Sequence, residues 1–186
     1  KDKKETEVMY KIITIGDTEV GKSAIIRRLV CNTFEEKTMS TAGQERYKSI
    51  GKSYFKNADG VLFVFALNNL QSFENIPNWM KIFDESSNET LKIPKNLVGN
   101  KKDLGSEIEV NEDIINDFLK KNNNFIYKAV SAKEDNNEIQ DLFQEMAERL
   151  YEEDIKNGHS KNKTTVKLTN EKQVERRGCK FKKCIM

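Results

Sequence analysis

The chain has 186 residues, 37% hydrophobic and 33% charged, which is enough for one domain with a real core and a tail. No apolar run reaches the length of a bilayer-crossing helix, and no secretory leader is visible; Cys31, Cys179 and Cys184 are too few and too scattered for a disulfide framework, so a reducing cytosolic setting is the expectation. The net charge of +2 hides an asymmetry: residues 156–186 hold ten Lys and Arg against two Glu, a charge of +8, which leaves −6 on residues 1–155 and argues against nucleic-acid binding by the body of the protein.

In chain order, Val8 to Ile15 (VMYKIITI) reads as a strand and Lys22 to Val30 (KSAIIRRLV) as a helix. Val61 to Leu67 (VLFVFAL) is an unbroken apolar run, the pattern of a strand covered on both faces in a parallel sheet. Leu70 to Phe83 reads as a helix with Phe73, Ile76, Met80 and Phe83 at core spacing, and Pro77 is positioned to shorten or bend it. Asn96 to Gly99 reads as a short strand, Glu112 to Lys121 as a helix and Phe125 to Val130 as a further strand. Ile139, Leu142, Phe143, Met146, Ala147 and Leu150 then follow one face of a final helix. The alternation predicts an α/β fold, a mostly parallel doubly wound sheet whose ligand binds beyond the carboxyl ends of the strands. Periodicity stops near Ile155, which divides the chain into a domain over 1–155 and a basic, polar, flexible tail over 156–186.

Gly16, Asp17, Thr18, Glu19, Val20, Gly21, Lys22 and Ser23 match the pattern G-x-x-x-x-G-K-[ST], directly after an expected strand and at the start of an expected helix, with Ala24 next. Gly16 and Gly21 permit backbone angles that side chains forbid. The amide hydrogens of such a loop surround an anion, and the helix start adds partial positive charge. Lys22 is expected to reach the outer phosphates of a nucleotide, and the Ser23 hydroxyl to ligate Mg²⁺. Glu19 is unusual beside phosphates, and its carboxylate is expected to face solvent.

A phosphate loop does not separate ATP from GTP. Asn100 to Asp103 (NKKD), after the expected strand ending at Gly99, resembles the N-K-x-D motif of GTPases. In that resemblance Asp103 accepts hydrogen bonds from the ring N1–H and exocyclic amine of guanine. Adenine offers neither donor there and would leave a carboxylate unpaired. Lys101 would lie along the base, and Asn100 would tie the base pocket to the phosphate loop. Ser131, Ala132 and Lys133, after the next expected strand, resemble the S-A-K motif, in which a backbone amide meets guanine O6. Phe34, eleven residues after Ser23, resembles the aromatic that packs edge-on against the base in Ras-type proteins; a core or exposed phenylalanine is the plain alternative.

Thr41 to Tyr47 (TAGQERY) resembles the second switch of the Ras superfamily and leans toward its Rab-like branch, as do SYFKNADGVLFVFAL (Ser53 to Leu67) and SFENIPNW (Ser72 to Trp79). The resemblance implies a P-loop three-layer sandwich. It places the Gly43 amide near the γ-phosphate and makes Gln44 the catalytic residue that orients the attacking water. Trp79, Phe63 and Phe65 read as core packing. Two positions depart from the family: Ala66 and Ser40 stand where relatives carry Asp, and at Ser40 that Asp holds Mg²⁺ through water. KTMST (Lys37 to Thr41) reads as the end of the first switch, with Thr41 as its Mg²⁺ ligand, yet Thr41 also begins TAGQ. One threonine thus fills two family positions, as though a segment on the order of two dozen residues, two average strands and a turn, were absent between the switches.

Arg176 to Met186 (RRGCKFKKCIM) joins basic charge to terminal cysteines, the two weak signals that together make a stable membrane anchor. It resembles a prenylation box one residue short, with Cys184 the expected lipidation site. The resemblance implies a GTP-hydrolysing switch in vesicle traffic, cytoplasmic and peripheral on the cytosolic face of endomembranes, with GTP or GDP, Mg²⁺, effectors, exchange factors and GTPase-activating proteins as partners. Two rivals stay open: a protein of this fold that holds nucleotide with impaired turnover, which Ser40 and the missing segment favour, and a P-loop ATPase or kinase, which Asp103 disfavours.

Overall fold

The computed structural model describes residues 9–35, 55–86, 93–134 and 136–156. Four strands, β1 (Ile12–Ile15), β2 (Gly60–Ala66), β3 (Lys95–Asn100) and β4 (Phe125–Ala129), pair in that order, all parallel. The helices are α1 (Lys22–Cys31), α2 (Leu70–Glu74), α3 (Ile76–Ser86), α4 (Glu112–Lys121) and α5 (Glu138–Lys156), with a 3₁₀ turn over Lys102–Glu107.

The apolar run of β2 shows why the sheet is the middle layer. Successive side chains of a strand point to opposite faces. Val61, Phe63 and Phe65 accordingly join one core with Phe73, Ile76, Phe83, Ile115 and Phe125, beneath α2, α3 and α4. Leu62, Val64 and Ala66 join the other, with Ala24 and Ile25 of α1 and Ile139, Leu142, Phe143, Met146 and Leu150 of α5. Every residue of β2 is buried, as expected of a parallel strand covered on both sides. Edge-to-face rings lock the first core, Phe65 on Phe73 at 5.0 Å and Phe73 on Phe118 at 5.7 Å.

Two expectations change in detail. The strand expected from Val8 begins at Ile12 among the described residues; just ahead of it, the Lys11 N–H donates to Asp59 Oδ2 at 2.6 Å and the Lys11 carbonyl accepts from Asp59 N at 2.8 Å. The helix expected from Leu70 to Phe83 is two helices meeting at Asn75. Pro77 falls in the first turn of the second, where a missing N–H costs nothing, so the break precedes it. Among the described residues β1 ends one side of the sheet and no antiparallel strand occurs. The segment on which the expected missing strands turn, with Lys37, Ser40 and Thr41, lies outside the described residues.

The carboxyl ends of β1, β3 and β4 open at one rim of the sheet. They lead into the loop Gly16–Gly21, the segment Lys101–Asp103 and the residues Val130–Lys133.

Candidate functional site

The loop after β1 is shaped by contacts that only glycine tolerates. Gly16 has φ +151°, and a β-carbon there would meet Val64 O at 2.0 Å; Gly21, which caps α1, has φ +95° and would meet Asn100 Nδ2 at 2.1 Å. Glu19 turns the loop between them with φ 61°, in the left-handed region, and its side chain is exposed, as expected. Thr18 is also exposed, while Val20 and Ala24 are buried and anchor the loop and α1 on the core beneath α5. Lys22 folds back over the loop, its Nζ donating to Gly16 O at 2.9 Å and to Asp17 O. Burial brings its ammonium down to about 8, against the opposing pull of the Asp17 carboxylate.

Asn100, at the end of β3, joins the loop to the rest of the rim. Its Nδ2 donates to Val20 O at 2.8 Å and its Oδ1 accepts from Ala132 N at 3.1 Å. The tie between Asn100 and the loop expected from sequence is therefore present as a direct bond. The same geometry engages one amide of the Ser131-Ala132-Lys133 run, since the Ala132 N–H donates to Asn100.

Asp103, in the first turn after β3, accepts from Ser131 Oγ at 2.6 Å through Oδ1, and its Oδ2 accepts from none of the described residues. Ser131 is fully buried and also receives the amides of Lys133 and Glu134, at 3.2 and 3.1 Å, which fixes its hydroxyl toward Asp103. Lys101 takes a left-handed conformation, φ 67°, to turn the chain between Asn100 and Asp103. Asn100, Asp103, Ser131 and Ala132 thus form one bonded cluster against the phosphate loop. Lys133 is exposed at its margin, and Phe34, beyond the end of α1, is 36% exposed and outside both cores.

Two supports were not visible in the sequence. Arg28 of α1 is buried, and its Nε donates to Ala132 O at 3.1 Å, its Nη2 to Lys133 O at 2.7 Å and its Nη1 to Asn32 O at 3.1 Å. Trp79, read as core packing, does pack against the first core, but its Nε1 also donates to Asp17 Oδ1 at 2.7 Å, beside Asn75 Nδ2 on Asp17 Oδ2 at 2.7 Å. The four-residue spacing of Asn75 and Trp79 was the available signal, since it sets them one turn apart. Phe63 and Phe65 are core residues, as read.

For Mg²⁺, the described residues contain no cluster of three acidic, His or Cys side chains. Ser23, exposed on the first turn of α1 beside Lys22, is a hard oxygen donor of the type that shares such a cation with phosphate oxygens. The residues present fit that mode. Thr41, Gly43, Gln44, Cys179 and Cys184 lie outside the described residues.

A family model described as Ras family matches residues 37–152. The chain is 31% identical to the Ras-related protein Rab-1 of Theileria annulata, over 92% of this chain and 87% of that one. It is 30% identical to the Ras-related protein Rab-9A of Rattus norvegicus, over 86% and 92%. With the Ras-related protein RABG3b of Arabidopsis thaliana it shares 30%, over 73% and 80%. The alignment with the Theileria annulata protein spans 196 positions, more than the 186 residues of this chain, so it includes positions with no counterpart here.

Proposed function

We propose, since this chain belongs to the Ras family of small GTPases and resembles its Rab members, that it is a GTP–GDP switch acting in vesicle and membrane traffic. One observation carries the reading: the Asn100 amide bonds the phosphate loop at Val20 O to the cluster of Asp103, Ser131 and Ala132, so a phosphate cradle and an acceptor for a purine edge share one rim. Nucleotide phosphates would lie against the loop from Gly16 to Ala24, with Lys22 on the outer phosphates. The base would lie between Asn100, Lys101, Asp103, Ser131, Ala132 and Lys133, with Phe34 at its edge. Ser23 and Thr41 would hold Mg²⁺, which supplies charge neutralisation at the phosphates. Gly43 and Gln44 would attend the γ-phosphate, Gln44 orienting water.

Residues 1–155 form the switch domain in this reading, and 156–186 a basic tail whose Cys184 carries a prenyl group. GTP would order the switch segments for effectors, exchange factors and GTPase-activating proteins would set the rates, and the protein would sit on the cytosolic face of endomembranes.

A second reading, a nucleotide holder that turns over poorly, is favoured by Ser40 before Thr41-Ala42-Gly43-Gln44 and supported by the aligned length that exceeds this chain. Single-turnover hydrolysis of GTP with Mg²⁺ by the full chain separates the two. The impaired reading predicts weakened nucleotide binding with little phosphate release. Turnover that a Gln44→Leu change abolishes would establish the working switch instead.

A further inference from the structure

Asp17 is an acidic residue in a loop expected to hold anions, and the structure shows how its charge is managed. Both carboxylate oxygens are occupied by α3 and the residue before it: Oδ2 by Asn75 Nδ2 and Oδ1 by Trp79 Nε1, each at 2.7 Å. These are neutral donors one helical turn apart, with Trp79 N bonded to Asn75 O at 3.2 Å, so the pair forms a rigid two-pronged clamp. The carboxylate is thereby held on the α3 side of the loop. The main chain of the same residue does separate work, because Asp17 O and Gly16 O are the two carbonyls on which the Lys22 ammonium rests.

We propose that Asp17 is a positioning residue for nucleotide phosphate: gripped by Asn75 and Trp79, it fixes the carbonyls that seat Lys22 and keeps its own negative charge away from the phosphates. The inference rests on the proposed nucleotide site. It adds a second anchor for the phosphate loop, on the side of the sheet opposite α1. Asn100 holds the loop at Val20 from β3, and α3 holds it at Asp17, so the loop is fixed near both ends.

The test is release of radiolabelled GDP, with Mg²⁺, from the full chain and from Asp17→Ala, Asn75→Ala, Trp79→Phe and the Asp17→Ala/Asn75→Ala double variant. Each single change is expected to speed release about tenfold, the scale of a lost hydrogen bond to a charged group, and the double variant to be no faster than the Asp17→Ala single. Trp79 is the only tryptophan, so its emission reports the clamp directly. Emission should shift when GDP is added to the unaltered protein and not in Asp17→Ala. Thermal midpoints without nucleotide separate a general loss of stability from a loss of grip. Trp79→Phe, which keeps an aromatic ring in the core, carries the test if Asp17→Ala fails to fold. Unchanged release from Asp17→Ala or Trp79→Phe, or additive effects in the double variant, overturns the proposal while leaving the nucleotide site standing. Failure of the unaltered chain to retain GDP at all overturns both.

Discussion

Asn100 and Gly21 are in contact that leaves no room for a β-carbon: one built on Gly21 would lie 2.1 Å from Asn100 Nδ2. The side chain that links β3 to the phosphate loop, and through Ala132 to the opposite loop, lies where any residue other than glycine would intrude.

Gly21→Ala should therefore do two kinds of damage. It places a side chain at φ +95° and drives the Asn100 amide off Val20 O, breaking the bond between the loop and the base cluster. Backbone strain of this kind costs about 1–3 kcal/mol and an unpaired buried polar group a similar amount. GDP affinity is expected to fall by roughly a hundredfold or more, with a lowered thermal midpoint, as read by equilibrium binding and thermal unfolding. Affinity unchanged in Gly21→Ala would mean that Asn100 does not organise the loop.

Arg28→Lys should behave as a severe change although charge is kept. The guanidinium spans three carbonyls, those of Ala132, Lys133 and Asn32, a geometry that a single ammonium does not reproduce. Loosening Ala132 and Lys133 should weaken the base end more than the phosphate end. Binding of GDP is expected to weaken about tenfold while binding of inorganic pyrophosphate holds, a contrast that calorimetry reads directly. Equal losses for both ligands would assign Arg28 to general stability.

The layers, the site motifs and the tie from Asn100 to the loop were legible in the sequence, but the ties made by Arg28 and Asp17 were not. Seven consecutive apolar residues announced β2, and its alternating faces followed from strand geometry alone. The phosphate loop and Asn100 were legible because the relevant chemistry sits in short contiguous runs. Arg28 was not, since the two carbonyls it holds at the rim, those of Ala132 and Lys133, lie more than a hundred positions away, and an arginine on an amphipathic helix ordinarily reads as surface. Trp79 packs in the core as its spacing implied, but its second role was hidden for the same reason: its single N–H points to Asp17, in a loop 62 residues earlier. The break at Asn75 was half legible. Pro77 signalled a disturbance, but Asn75 ends α2 by returning its N–H to Gln71 O before the proline is reached.

The pH dependence of the ligand-free protein should carry the mark of Lys22. Its ammonium stands at about 8 in the folded chain, because of burial, against an ordinary value of 10.5. Between these values the unfolded chain binds the proton and the folded one does not, so this group makes stability rise with pH from about 8 toward 10.5 and levels off beyond it. Below about 8 both states are protonated, and the cost of the buried charge is carried in full. Urea midpoints of the unaltered protein and of Lys22→Met at pH 7.5 and 9.5 isolate the effect. The difference between the two proteins should move in favour of the unaltered chain at the higher pH. A pH-independent difference would show that the ammonium is not held in a dry site.

In the proposed site, one rim selects a guanine by the hydrogens it offers and grips its phosphates nearby. Competition against bound labelled GDP by GTP and by ATP, with Mg²⁺ and the full chain, tests it most directly. The account predicts that GTP displaces GDP at comparable concentration and that ATP requires roughly a ten-thousandfold excess, with Asp103→Ala erasing most of that gap. ATP displacing GDP as readily as GTP does, in the unaltered protein, would contradict it.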